Sequence, residues 1–511
     1  MRRAVIIIIV LLPHAGSAAL YDAKAEYRRD ALDFEENAQE FYREKIRVFA
    51  SDAVSAGIAT SYKTAEKKRS STWNVLADGM TIPVSLIAGN FYAQEGSGLL
   101  YGKLRPYNPD PFSPEPELSR QRGFAPCDSA NPAYAFSGAG LCVYAGARDD
   151  PLFILVCSLS RSVRFARRDD DDPRSMSESL STILGRIDRK YPYDTAVSCR
   201  TMTGSVAFLP FDSVRCELSA LSVSLNEGDR RAAWKSRGGD ENAYGLDGFA
   251  AYCAYSDGML SSFAEGSVCS ERLQNGKRNA CAFQSECAFK SRVADVSVRG
   301  KMMDRGYGSP YYSVCGSRSP SDGIFISLKC SPSRRLSCSA EGSSERKKEG
   351  TLSSSSVVRE VVSLEAAVLR RCVIEVSHTS LHSPAGDDVR SREKFSCRIG
   401  PESAHFKFGA VLQRSQRKKS SDLFLSGSAV FAEAHTIKGG VRFVSSSAVN
   451  PVYTESEDSS QPLAVKRPRL MLYNAGYSYD GFISAGAAIT ASYEGTKPVE
   501  QRLSFEARCV W

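Results

Sequence analysis

An all-β fold of about 16–20 antiparallel strands is what the sequence predicts, on three observations. Apolar and polar residues alternate in segment after segment, the period that puts successive side chains on opposite faces of a sheet. Short runs bounded by Gly, Pro, Asp, Asn and Ser recur from Lys45 to the end of the chain. No long helical pattern separates those runs, which disfavours βαβ units and a parallel sheet.

The N-terminus reads as an export signal. Arg2 and Arg3 precede the unbroken apolar stretch Ala4 to Leu12, and Pro13 leads into the small residues Gly16-Ser17-Ala18. A stretch this short cannot cross about 30 Å of hydrocarbon as a helix, so residues 1–18 read as a cleaved signal peptide. Residues 19–44 carry many charges and good helix formers and read as a short helical lead-in. Residues 45–511 then form one large β-domain.

Within that domain the alternation is clearest in four places. Phe283 and Phe289 share a face with Cys281 and Cys287, while Gln284, Glu286 and Lys290 take the other. Val296, Val298 and Met302 alternate with Arg299 and Lys301, and Phe406, Phe408, Ala410 and Leu412 alternate with His405 and Lys407. In the last segment Leu503, Phe505, Ala507, Cys509 and Trp511 alternate with Arg502, Ser504, Glu506 and Arg508. Many further candidates run to about 9–12 residues, the length a tilted strand needs to cross a bilayer. Beyond Leu12 no apolar run is long enough for a membrane helix, and the longest, Leu152 to Leu159, is strand-sized.

Connections are of two kinds. Asn275-Gly276 and Tyr479-Asp480-Gly481 suit tight hairpins. Long polar loops are expected at 103–131, 167–192, 340–355 and 446–467. Alternating short and long connections suits a barrel with short turns at one end and long loops at the other.

Charge and motif content argue against other classes. Losing Arg2 and Arg3 lowers the formal charge of +8 by two, a weak bias over so long a chain and no argument for nucleic acid. The 15 cysteines include no CxxC pair, which disfavours zinc ribbons and redox motifs. Several lie on apolar faces, where cysteine packs as a small hydrophobe; cross-strand disulfides are the competing account. Gly96, Gly98 and Gly102 lack P-loop spacing and read better as glycines at a strand bend. His378 and His382 sit where a strand is ending and read as a loop pair, and Asp169 to Asp172 read as a solvated loop. No GxSxG or HExxH motif is present, so the sequence singles out no catalyst, metal site or cofactor.

The ending on Trp511, with Leu503 and Phe505 upstream in alternation, resembles the terminal strand of bacterial outer-membrane barrels. That resemblance implies a strand read by the barrel-assembly machinery, with Ala507 and Cys509 smaller than the usual occupants. The stretch Ile87 to Leu100 is similar to a Gly-Asp-aromatic and Gly-Gln-Gly-Leu pattern of barrels found beside helix-hairpin-helix, DNA-uptake-type modules. Here Asn90 stands for the acid and Ser97 for the glutamine, and no helix-hairpin-helix accompanies it.

Backbone groups in hydrocarbon must all be paired, so exported strands span a membrane only as a closed barrel. The expectation is therefore a closed antiparallel transmembrane β-barrel in the outer membrane, contacting lipid outside and passing small polar or anionic solutes within. Arg299, Lys301, Lys407, Arg502 and Arg508 are the candidate lumen-facing residues; Leu503, Phe505 and Trp511 are the candidate assembly signal. Surface loops remain available for ligands. The alternative is a secreted or surface-attached all-β adhesin without a membrane span.

Overall fold

The computed structural model describes residues 20–31, 38–51, 54–63, 68–78, 83–94, 96–101, 123–127, 135–147, 150–167, 169, 175–185, 194–227, 230–236, 241–307, 309, 321–333, 335–349, 353–369, 372–382, 389–401, 403–415, 418–431, 435–446, 452–454, 463–465, 470–479, 483–494 and 497–510. The signal segment 1–18, residues 170–172, Gly102 and Trp511 lie outside them.

Nearly everything described is strand. One sheet holds 27 strands. Three short ones, Gly123–Pro126, Ser175–Ser179 and Arg230–Lys235, attach to their neighbours' ends. The remaining 24 follow one another as antiparallel neighbours. The last, Lys497–Val510, pairs both with Ile483–Glu494 and with the first, Leu20–Ala31, in a register that runs from Asp22 opposite Val510 to Ala31 opposite Gln501.

Four sequence expectations are corrected. The lead-in is not helical: Leu20–Ala31 and Ala38–Ser51 are strands that pair along their whole length. Isolated, these Ala-, Glu- and Arg-rich segments favour helix, and cross-strand pairing on both sides overrides that weak propensity. The strand number is 24 rather than 16–20, because Lys68–Asp78, Asn242–Ser256 and Val389–Ile399 join the two N-terminal strands, and the segments around 324–339 and 356–376 each hold a hairpin, at Ser333–Leu336 and Leu369–Cys372, where single strands were expected. Residues 340–349, expected in a loop, lie in Leu336–Glu349, where Lys348 pairs with Asp322 on the adjacent strand and Glu345 with Lys301 one strand farther on. The histidine pair also lies within strand, Cys372–His382, four residues apart.

Because consecutive strands run antiparallel, their connections fall alternately on two rims. One carries short turns, among them Ser51–Val54, Phe211–Val214, Ser256–Leu260, Lys290–Ala294, Ser333–Leu336, Leu369–Cys372 and Ile399–Ala404, together with the outer ends of the first and last strands, Leu20 and Val510. At Ser256–Leu260 the Asp257 carboxylate accepts the N–H groups of Met259 (3.0 Å) and Leu260 (2.7 Å), which hold it below the usual carboxylate range. The other rim carries the long connections, from Gln94 to Phe136, Arg167 to Asp194, Met303 to Ser321 and Ser446 to Leu470.

The two faces of the sheet have opposite chemistry, and the polarity is the reverse of a soluble sandwich. Leu155, Leu159, Val206, Leu218, Phe249 and Phe283, with many like them, are exposed. On the alternate positions Ser158, Ser160, Arg215, Glu217, Glu265 and Gln284 are buried. In Val214–Glu227, whose burial alternates strictly from Arg215 to Leu225, the hidden positions are Arg215, Glu217 and Ser219 at one end and Leu221, Val223 and Leu225 at the other, while Leu218 is exposed.

Candidate functional site

The buried face is organised by register. Glu217, Tyr252, Glu265, Gln284 and Lys301 are successive Cα partners across five neighbouring strands and form one transverse row. Arg215 lies two residues before Glu217, hence on the same face. It donates to Glu217 Oε2 from Nη2 (2.9 Å) and Nε (3.2 Å). The pair is desolvated, with side chains 2% and 0% exposed. Ser219, two residues further, donates its hydroxyl to Glu217 Oε1 at 3.0 Å.

Elsewhere on the same face the charges are again matched. Arg299 Nε donates to Glu286 Oε2 at 2.6 Å. Lys301 Nζ donates to Glu345 Oε1 at 2.7 Å and stands 5.6 Å from the centroid of the Phe325 ring, a cation–π contact. Lys407 Nζ lies 3.6 Å from Glu375 Oε2, and Lys394 donates to the other oxygen of that carboxylate at 3.0 Å. Of the sequence-predicted basic residues, Arg299, Lys301 and Lys407 thus each stand beside a carboxylate. Arg502, Leu503, Phe505 and Arg508 lie in the last strand, whose side chains are outside the described residues.

The row also receives a segment from elsewhere in the chain. After the strand Val84–Gln94, residues 96–101 turn onto the buried face. The Gly96 N–H donates to Glu217 Oε1 (3.0 Å) and the Ser97 N–H to Glu265 Oε2 (2.6 Å). The Ser97 hydroxyl also bonds Glu265 and accepts from Gln284 Nε2 at 3.1 Å. Tyr307 donates its hydroxyl to the Leu99 carbonyl at 2.7 Å, Ser309 donates to that of Leu100, and Tyr101 donates to the Gly204 carbonyl at 3.3 Å. Glycine gives the room for this approach at two positions. Gly96 has φ 53°, and a side chain there would meet the Glu265 carboxylate at 2.9 Å; one at Gly248 would meet Leu100 Cδ1 at 2.4 Å.

Around this anchor the buried face turns apolar. Leu99 and Leu100 pack in one cluster with Ile183 and Leu184 of the short helix Leu180–Gly185 and with Trp234 of Arg230–Lys235. Segments from three connections of the long-loop rim, together with residues 307 and 309, therefore fold against the same part of the sheet. The expectation of a simple strand bend at Gly96 and Gly98 is corrected accordingly. The residues that hold the segment were not foreseen; the only signal was period-two polarity, Arg215-x-Glu217-x-Ser219 and Gln284-x-Glu286.

Among the described residues no helix is long and apolar enough to cross a membrane, and no group of His, Cys, Asp or Glu is placed to hold a metal ion. No family model matches the sequence, and no curated protein matches it. Solved structures do match. A chain of the P pilus tip assembly intermediate PapC-PapD-PapK-PapG from E. coli is similar over 96% of this chain and 60% of its own, with a TM-score of 0.52 at 10% identity. The chain has the fold of an outer-membrane β-barrel. The translocation pore of the P pilus usher PapC is similar over 96% of this chain and 99% of its own, with a TM-score of 0.43 at 8% identity. The FrpB iron transporter of Neisseria meningitidis is similar over 98% and 83%, with a TM-score of 0.46 at 7% identity.

Proposed function

We propose that the chain is a bacterial outer-membrane protein whose 24 strands close into a transmembrane barrel, and that the barrel gives restricted passage to small polar solutes. The observation that carries this reading is the inverted polarity: apolar side chains exposed, an ion-paired network buried. Lipid can cover the first, and a polar lumen needs the second. The pairing of the last strand with the first supports closure. The short-turn rim then faces the periplasm and the long connections face outward. Arg299, Lys301 and Lys407 line the lumen in this reading, as Arg502 and Arg508 do by alternation. Because the first three stand beside carboxylates, they supply little net field for anions.

Replacing Phe408, which is 41% exposed, by Arg should cost about 2–4 kcal/mol if the residue lies near the bilayer midplane. Lys407→Ala, next to it and facing Glu375, should cost about 0–1 kcal/mol. The assay is unfolding in detergent micelles, read by heat-modifiable migration on a gel. Equal effects at the two positions would reject the lipid-facing assignment, and a monomer that needs no detergent would reject the barrel.

The docked segment makes a second expectation. Planar-bilayer recordings should show small conductance with weak charge selectivity, and excising residues 96–101 should raise the conductance several-fold. An unchanged conductance in the excised protein would place the constriction elsewhere.

A further inference from the structure

We propose that two cystines staple the short-turn rim, Cys216 with Cys253 and Cys330 with Cys338. Cys216 on Val214–Glu227 and Cys253 on Asn242–Ser256 are Cα partners in the sheet, and their sulfurs are 3.2 Å apart. Cys330 and Cys338 are Cα partners across the hairpin of Ser321–Ser333 and Leu336–Glu349. Directly opposed residues of an antiparallel pair have Cα atoms about 4.5–5.5 Å apart, inside the window of about 4.4–6.8 Å that a disulfide spans. The register already meets the geometric demand, so closing either bond asks for side-chain rotation and no movement of the strands.

Both pairs also share an address. Cys216 is two residues from the turn at Val214, Cys253 three from the turn at Ser256, and Cys330 and Cys338 flank the turn at Ser333–Leu336. All of these turns belong to the short-turn rim. None of the four is buried. The other described cysteines are placed differently. Cys127, Cys142, Cys199 and Cys269 are buried, and the exposed Cys157, Cys281 and Cys287 face Gly204 and Leu141, Val268, and Ser262 and Val298. Cys372 and Cys397 approach to 3.7 Å but are offset by two residues in the register, and they stand outside the proposal.

The chemistry is thiol–disulfide exchange. One thiolate of a pair attacks a disulfide of the exporting compartment, protein-borne or small-molecule, and expels one of its sulfurs as a thiol. The second thiolate then attacks the mixed disulfide, forms the Cys–Cys bond and expels the other sulfur. Each closure moves two electrons and two protons from the cysteine pair to the oxidant, which leaves as two thiols. The proposal rests on the outer-membrane reading, because that reading puts the short-turn rim in an oxidising compartment.

The test is differential alkylation of the full chain purified after native export. The protein is denatured, blocked with N-ethylmaleimide without reductant, then reduced and labelled with iodoacetamide before peptide mapping. Cys216, Cys253, Cys330 and Cys338 should carry only the second label, and unreduced digests should contain the two linked peptides. Cys253→Ser should move Cys216 to the first label and leave the Cys330–Cys338 peptide intact. First-label reaction at all four positions in protein recovered from outer membranes would overturn the cystines while leaving the barrel reading untouched, as would linkage of these cysteines to other partners. Recovery outside the membrane fraction would instead refute the barrel reading, and the linked peptides would still decide the cystines.

Discussion

Arg215→Ala should destabilise the protein by about 3–5 kcal/mol, the usual cost of stranding one member of a buried ion pair. Glu217 is fully buried, and Arg215 supplies two of the hydrogen bonds to its carboxylate. Without the guanidinium, the carboxylate loses those two charge-assisted bonds, while the Gly96 N–H and the Ser219 hydroxyl still donate to it. Losing a charged partner in a desolvated site weakens the hold of that carboxylate on residues 96–101. Replacing both members with apolar residues of similar volume, Arg215→Met with Glu217→Leu, should cost less, because neither charge of the pair is left without the other. The check is guanidinium unfolding in detergent micelles for wild type, the single variant and the double variant. A single variant within about 1 kcal/mol of wild type would mean that water reaches the pair and screens it.

In the proposed outer-membrane barrel, truncation before Leu503 should abolish insertion. Residues 503–510 are partners of 22–29 on one side and of 483–489 on the other, so their loss unpairs two strand edges at once. In hydrocarbon each orphaned donor or acceptor costs several kcal/mol, which no surrounding contact offsets. Heat-modifiable protein should vanish from the outer-membrane fraction, and the chain should be degraded after export. In the proposed barrel, Trp511→Ala should slow assembly without altering export, since an indole at the membrane interface would anchor a strand without pairing it. Normal amounts of heat-modifiable protein after truncation would exclude a closing role for this strand.

The strands were legible where one face is apolar. Gly276–Lys290, Ala294–Met303 and Ala404–Ser415 all contain the alternation read from their sequences, because exposed Phe283, Val298 and Phe408 mark one face without ambiguity. The failures share a cause. In Leu20–Ala31 the residues Lys24, Glu26, Arg28 and Asp30 recur at every second position, but their neighbours are mostly alanine, so composition spoke for helix more loudly than period two spoke for strand. In Leu336–Glu349 the charges looked like a solvated loop, yet Glu345 answers Lys301 and Lys348 answers Asp322. Such pairing needs the fold to exist before it can be seen. The docked segment is the extreme case: Gly96 meets Glu217 and Ser97 meets Glu265, partners 121 and 168 residues downstream, and no local pattern encodes either.

The pairing of Leu20–Ala31 with Lys497–Val510 also sets the order of events in folding. Most of the sheet consists of sequence neighbours, so it can grow hairpin by hairpin with little loss of chain entropy, a low contact order apart from one seam. That seam joins residues separated by almost the whole length of the chain. The first strand emerges first and must wait with a bare edge until the last arrives, an interval in which the edge can recruit a strand from another molecule. The slowest productive step should therefore be unimolecular and late, its competitor should be bimolecular, and the yield of refolding should fall as protein concentration rises.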